Sequence, residues 1–411
     1  MQACEATGTS VFLGRQPIFD RRRQVFGYEL LFRSNGARNT SNVVDGDAAT
    51  GDVMNNCLNV MAWDELVGER QAFINMTRRL MIDQVYEVLP RDRAVVELLE
   101  DSGTDAEIVE ACRRLKQAGY TLALDDFVYS PEYEPLLELA DVIKVDFMAL
   151  DAGQRAWHAE RFGGRRYLLL AEKVETPADF EEAMRLGYTH FQGYFFCKPQ
   201  IIEGREVPAV KRNYLRFLHE VNMPDLDFAR LEQVIKQDVS LSAKLLRYLN
   251  SAAFGLRNKL TSIKQALVLL GQGPLRKWAS LVATGALGAD KPAELLITCL
   301  TRARFCELLG QSARMNGEEL KLFLMGLFSA LDALVDQPME KLISQLPVPP
   351  EVTDALLGAE SPLGRVYQLV LAYERGNAAE LDAAAGHCGL AVEQVGELYW
   401  QAVKWADQVR V

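Results

Sequence analysis

Residues 121–127 read Thr121-Leu122-Ala123-Leu124-Asp125-Asp126-Phe127. After Thr121 the run Leu122-Ala123-Leu124 is apolar on both faces, as a parallel strand covered by helices must be. Two carboxylates then stand side by side. Adjacent aspartates repel, so the pair is costly without a cation. Side chains of neighbouring strand residues leave opposite faces. Both carboxylates can therefore meet one metal pair only if the backbone turns at the strand end.

Working outward, the same pattern recurs. Glu29 lies in the run 24–32, Asn75 in 72–76, Glu97 in 94–98, Glu172 after 167–171 and Gln192 in 190–196. Strand candidates are 11–19, 25–32, 72–76, 94–99, 121–127, 142–147, 167–174 and 191–196. Helix candidates lie between them. Residues 105–119 place Ile108, Val109, Cys112 and Leu115 on one face, and Gly119 stops the helix. Eight strands alternating with helices predict an α/β TIM-like barrel over residues 1–203. Oxygen ligands at the strand ends are how such a barrel builds a divalent-metal site. Two ions about 3.5–4 Å apart can clamp a phosphodiester and generate a hydroxide nucleophile. Lys144, a cation inside the apolar strand 142–147, could hold the attacking water or a phosphate oxygen.

Plainer readings stay open for each residue taken alone. A single strand-end glutamate is usually just solvated. Asp125 and Asp126 could cap a following helix, Lys144 could pair internally with Asp146, and Gln192 could satisfy backbone groups. The metal reading rests on the ensemble.

From about residue 207 there is almost no strand signal. Residues 231–235, 241–249, 263–270, 275–287, 320–334, 367–373 and 392–409 carry helical apolar spacing. The prediction is an all-α domain over 204–411, joined through a linker at 198–206. Cys299 and Cys306 lie two turns apart in a core helix, and Arg21-Arg22-Arg23 reads as a solvated hairpin turn.

Composition bounds the function classes. The 411 residues are 49% hydrophobic and 25% charged, as in ordinary globular proteins. A net charge of -11 disfavours nucleic-acid polymers and anionic membranes as partners. The apolar stretch 323–335 is too short to span a bilayer and is interrupted by Asp332. Residues 1–10 show no secretion signal. Seven cysteines without a CxxC pair fit reduced thiols in the cytoplasm.

These residues carry a resemblance. Glu29-Leu30-Leu31-Phe32-Arg33 resembles the EAL-x-R signature of the EAL family of cyclic-di-GMP phosphodiesterases, with Leu30 in place of alanine. Gln16-Pro17-Ile18 matches its QPI, Asn75-Met76-Thr77 its N-x-S/T, and Glu97-Leu98-Leu99-Glu100 its E-x-T-E. Asp125-Asp126-Phe127 matches DDF, Lys144-Val145-Asp146 matches K-x-D, residues 172–176 resemble EGVET, and Gln192-Gly193-Tyr194 matches QGY. The resemblance implies two Mg²⁺ or Mn²⁺ ions held by Glu29, Asn75, Glu97, Asp125 and Asp126. Lys144 and Glu172 would handle the water, supported by Gln192. Gln16, Glu29, Leu31, Arg33 and Gln192 would contact cyclic-di-GMP, and the product would be linear pGpG. Barrels of this family commonly pair, which implies a homodimer.

Two departures stand out. After DDF the family has a glycine-rich loop, whereas this chain has Val128-Tyr129-Ser130-Pro131-Glu132. Valine and proline forbid conformations that glycine allows. Lys173 replaces the glycine of EGVET. The expectation is a barrel that binds cyclic-di-GMP with activity weak or lost. The alternatives are an active phosphodiesterase and a non-binding scaffold.

The second half resembles the HDOD domain, a relative of HD-type phosphohydrolases, in residues 235–242, 249–254, 262–267 and 270–271. A binuclear HD site needs several histidines and a His-Asp pair. This half has only His219 and His387, neither followed by Asp, so the ligand count excludes that site. An HDOD domain would instead engage a protein partner. The EAL-then-HDOD order resembles a bacterial signalling architecture of the YuxH type.

Overall fold

The computed structural model describes residues 11–34, 63, 67–164, 166–198, 207–237, 241–242, 244–245 and 262–409. By internal contacts the chain divides into two compact units, Met1–Lys198 with Val392–Trp400 and Pro199–Ala391 with Gln401–Val411.

The first unit contains a closed eight-stranded barrel. Its strands are β1 (Val11–Asp20), β2 (Val25–Ser34), β3 (Gln71–Met76), β4 (Ala94–Leu98), β5 (Thr121–Leu124), β6 (Val142–Asp146), β7 (Leu168–Glu172) and β8 (His190–Gln192). From β2 to β8 all neighbours pair in parallel, whereas β1 runs antiparallel to both β2 and β8. The cause is local. Asp20 Oδ1 accepts from the backbone N–H groups of Arg22 and Gln24, both at 2.8 Å, and Arg23 turns through φ +58°. So short a connection can join only antiparallel strands. The hairpin turn read at residues 21–23 is thus the feature that reverses the first strand.

Helices α1 (Arg78–Ile82), α2 (Ala106–Gln117), α3 (Glu134–Leu137), α4 (Ala152–Phe162) and α5 (Pro177–Leu186) lie between strands. In α2 the Asp105 side chain accepts from Glu107 N and Ile108 N, satisfying donors the helix start leaves free. Arg114 and Lys116 in its last turn complement the dipole. Ile108, Val109, Cys112 and Leu115 are buried as their spacing required.

One apolar layer inside the barrel fixes the site above it. Ile18, Phe73, Val95, Ala123, Val142 and Leu170 form a buried cluster. Side chains two residues apart on a strand share a face. The layer above Phe73, Val95, Ala123, Val142 and Leu170 is therefore Asn75, Glu97, Asp125, Lys144 and Glu172. On the reversed β1, Gln16 occupies the equivalent step from Ile18.

Two strand ends differ from expectation. The segment expected as strand 121–127 stops at Leu124, and Asp125 and Asp126 form a turn with Asp126 at φ +41°. β8 ends at Gln192, and Tyr194–Cys197 is a 3-10 turn instead of strand. Gly193 between them has φ +139°, and a Cβ there would overlap the backbone of Val174. Only glycine fits that close approach.

Past Lys198 the described elements are all helices, twelve in number. Ile263–Leu270 is a helix with the expected limits. The run expected as one helix over 320–334 is two, Glu319–Phe328 and Leu331–Val335. Ser329 breaks it: its hydroxyl donates to Gly326 O at 2.7 Å and accepts from Arg302 Nη1 at 3.1 Å. Cys299 and Cys306 are buried in Ala293–Ser312, as read. Asp238, most of the linker and residues 249–254 lie outside the described residues. Among the described residues no helix is long and apolar enough to cross a membrane.

Candidate functional site

At the carboxyl ends of the parallel strands, four carboxylates close on one ammonium. Lys144 Nζ lies 2.5 Å from Glu97 Oε1, 2.6 Å from Asp125 Oδ1, 2.7 Å from Glu172 Oε1 and 3.8 Å from Glu29 Oε2. Lys144 and Glu97 have no solvent exposure, and Glu29 and Glu172 have 6% each. Asn75 Nδ2 donates to Glu29 Oε1 at 2.8 Å. Gln192 Nε2 donates to Glu29 Oε2 at 2.5 Å and to Gln16 Oε1 at 3.0 Å. Glu29 and Gln16 are register partners across the β1–β2 hairpin. Glu29, Asn75, Glu97, Asp125, Lys144, Glu172, Gln192 and Gln16 thus converge on one mouth of the barrel.

The other residues singled out from the sequence are placed differently. Asp126 lies outside the Lys144 cluster, with both carboxylate oxygens facing Lys173 Nζ at 3.1 and 3.2 Å. Leu31 is half-buried in β2, opposite Gly14. Arg33 is the backbone partner of Phe12, and its side chain lies outside the described residues. The alternative pairing of Lys144 with Asp146 does not form. Asp146 takes Lys173 at 2.5 Å and accepts from the backbone of Met148 and Ala149 at 2.6 and 2.9 Å. Asp125 serves the cluster instead of capping a helix.

The loop after DDF packs against α4. Phe127 is buried and its N–H reaches Lys144 O at 2.9 Å. Its ring packs edge-on to Tyr133, His158 and Phe162. Tyr129 lies under the Arg161 guanidinium at 4.4 Å, and both side chains meet Glu134. Glu100 touches this loop through its carbonyl, which accepts from Tyr133 Oη at 3.3 Å. The loop is therefore tied to the outer helix α4.

The electrostatics follow from burial. Desolvation pushes the Glu97 carboxyl well above the usual range, against the pull of Lys144. Desolvation likewise pushes Glu172 up to about 8, again opposed by Lys144. Burial works against the Lys144 charge, yet Glu172, Glu29, Glu97 and Asp125 together raise its pKa well above the ordinary value. One ammonium cannot neutralise four carboxylates, so the cluster accepts either protons or more positive charge.

Which residues could hold a metal follows from the unsatisfied atoms. Among the described residues, no three acidic, histidine or cysteine side chains already close around a point as metal ligands. The carboxylates have drawn in on Lys144. Buried oxygens without a hydrogen-bond partner nevertheless remain at Asn75 Oδ1, Glu97 Oε2 and Glu172 Oε2. Hard oxygen donors of this kind suit Mg²⁺, Mn²⁺ or Ca²⁺. Glu29, Asn75, Glu97 and Asp125 therefore fit one divalent ion. Asp126, expected as a ligand of the second ion, has both oxygens on Lys173 Nζ, and an ion there would compete with that ammonium.

In the sequence Lys173 stands only as a departure from EGVET and Asp146 only as a possible partner of Lys144, whereas the structure pairs the two with each other. A lysine directly after a strand-end glutamate, where the resemblance has glycine, was the available signal.

The fold and the site define an EAL-type barrel carrying a helical second unit. The HDOD domain family matches residues 207–339. Cyclic di-GMP phosphodiesterase CdgJ of Vibrio cholerae is 36% identical over 99% of this chain and 95% of that protein. The uncharacterized protein YuxH of Bacillus subtilis is 34% identical over 97% of this chain and 98% of its own. The chain belongs to the family of EAL–HDOD signalling proteins that includes these two. Among solved structures, the Bacillus subtilis YkuI protein in complex with substrate c-di-GMP and calcium is similar at 20% identity and a TM-score of 0.37, covering 60% of this chain and 64% of that one.

Proposed function

We propose that the barrel binds cyclic-di-GMP and hydrolyses it to linear pGpG with Mg²⁺ or Mn²⁺. The observation that carries this reading is the buried cluster of Glu29, Glu97, Asp125 and Glu172 around Lys144, with unsatisfied oxygens at the mouth. A relative bearing the name of a cyclic-di-GMP phosphodiesterase, similar along nearly the whole chain, supports the same chemistry. A divalent ion bound by Glu29, Asn75, Glu97 and Asp125 would supply Lewis-acid stabilisation of phosphate charge. The chain's own residues do the rest. Burial raises the Glu172 carboxyl and Lys144 opposes that rise, so its unpartnered Oε2 is a basic oxygen placed to accept the proton of the attacking water when the carboxylate is ionised. Lys144 holds Glu172 and Asp125 in register through contacts of 2.7 and 2.6 Å. Water adds across one phosphodiester bond and the ring opens.

A second reading, binding without turnover, is favoured by the loop tied to Arg161 and by the hold of Lys173 on Asp126. Chromatography after incubation with cyclic-di-GMP and Mn²⁺ separates the two. Appearance of pGpG, lost in Glu97→Gln, supports the enzyme. Calorimetric binding without pGpG supports the sensor, and absence of binding removes both.

The helical unit is proposed to engage a protein partner. His219 is half-buried in Ala209–Asn222 and His387 is exposed at the end of Ala378–His387, two separate helices.

A further inference from the structure

The ends of three neighbouring strands meet at Lys173. Asp126 lies just past β5, Asp146 ends β6, and Lys173 directly follows β7. Lys173 Nζ reaches Asp126 Oδ1 at 3.1 Å, Asp126 Oδ2 at 3.2 Å and Asp146 Oδ2 at 2.5 Å. Asp146 is 12% exposed at its side chain and is fixed by two backbone donors, so it is a firm anchor.

Lys173 adopts φ +52°, in the left-handed region that disfavours any residue with a Cβ. Asp126 is left-handed too, at φ +41°. The backbone here suits glycine, and what the lysine contributes instead is its side chain. An exposed ion pair by itself is worth little. Here the ammonium meets three oxygens from two carboxylates, one of them nearly buried. The ammonium donates to both Asp126 and Asp146, and these contacts offset the cost of withdrawing its charge from water. A divalent ion coordinated by Asp126 would have to displace this ammonium or lie against it, and two positive charges at contact distance repel strongly.

We propose that the Lys173 ammonium stands in for the second cation of a two-metal site, so that the mouth takes up one divalent ion among Glu29, Asn75, Glu97 and Asp125 while Lys173 holds Asp126 in place of the other. The inference rests on the metal-dependent phosphodiesterase reading above. It makes the barrel a mononuclear site with a built-in positive charge on the side of β5 to β7.

Metal stoichiometry tests it on the full chain. Equilibrium dialysis with Mn²⁺ in the presence of cyclic-di-GMP, followed by elemental analysis and electron paramagnetic resonance, should find one magnetically isolated Mn²⁺ per chain. Lys173→Gly relieves the left-handed strain, so its fold is not at risk, and it should take up two ions with an exchange-coupled signal. Asp126→Asn should leave the stoichiometry of the parent at one and return Lys173→Gly from two to one. Two coupled ions in the parent, or a single ion in Lys173→Gly, overturns the stand-in while leaving the phosphodiesterase reading intact. No Mn²⁺ in the parent overturns both.

Discussion

Lys144 Nζ and Glu97 Oε1 lie 2.5 Å apart, and neither side chain has any exposure to solvent. Two further carboxylates, of Asp125 and Glu172, share the same ammonium. A buried ion pair is weak evidence for stability, but breaking one by removing a single partner is strongly destabilising. Lys144→Met keeps the stem's volume and leaves the carboxylates without their cation. Urea unfolding of the barrel should then show a loss of about 3–5 kcal/mol. Added Mn²⁺ should recover part of it by restoring positive charge to the cluster. A loss below about 1 kcal/mol would mean that the carboxylates are already protonated and hold no net charge.

Gln192 acts on the metal through Glu29. Its Nε2 donates to Glu29 Oε2 at 2.5 Å, and its place is fixed by Gln16 at 3.0 Å. Groups that orient a metal ligand typically carry a 10–100-fold share of affinity. Gln192→Leu should weaken Mn²⁺ binding by about that factor, read by calorimetry, with the fold unchanged by circular dichroism. An unchanged affinity would place Glu29 outside the metal's ligand set.

Much of this was readable in the sequence because each ligand ends an apolar run. Phe73 with Asn75, Val95 with Glu97 and Leu170 with Glu172 follow the two-residue strand period, so the apolar run that fills the barrel also aims its ligand at the mouth. What remained illegible depends on contacts between distant segments. Lys173 and Asp126 are 47 residues apart, and nothing local announces their pairing. The Lys144–Asp146 alternative stays open in the sequence because residues two apart share a strand face, and it is Lys173, 27 residues beyond Asp146, that takes that carboxylate. The short β8 was missed because Tyr194, Phe195 and Phe196 are as apolar as strand residues, while the constraint at Gly193 comes from the backbone of Val174.

His190 gives the barrel an acid-sensitive joint. It pairs with Asp20 across β1–β8 and meets Phe26 edge-on at 4.4 Å. Burial lowers its pKa from 6.5 to about 4, despite the nearby Asp20 carboxylate. In the unfolded chain it takes a proton below pH 6.5, whereas in the folded barrel it resists until about pH 4. Between those values the unfolded state binds more protons, so stability must fall as pH falls. The span corresponds to about 3 kcal/mol. His190→Asn should flatten this part of the stability profile, and the imidazole proton signals should titrate near pH 4. Titration near 6.5 would show that the ring is solvated.

The same substitution at two helical glycines of the second unit should act in opposite directions. Gly326 in Glu319–Phe328 lies against Ala293–Ser312, and a Cβ built on it would overlap the carbonyl of Arg302 and come within 2.6 Å of Ala303 N. Those atoms are backbone, and Arg302 is itself pinned by Glu374, with Nε to Oε1 at 2.8 Å and Nη2 to Oε2 at 2.6 Å. Neither side of the contact can yield cheaply, so Gly326→Ala should destabilise the unit by about 1–3 kcal/mol. Gly386 in Ala378–His387 has nothing within 4 Å of its Cβ position. Gly386→Ala restricts the unfolded chain without a clash and should stabilise by about 0.4–1 kcal/mol. Thermal unfolding of the two variants side by side reads both signs. A neutral Gly326→Ala would mean that these two helices are able to separate, and the close approach at Arg302 would then have no part in holding the unit together.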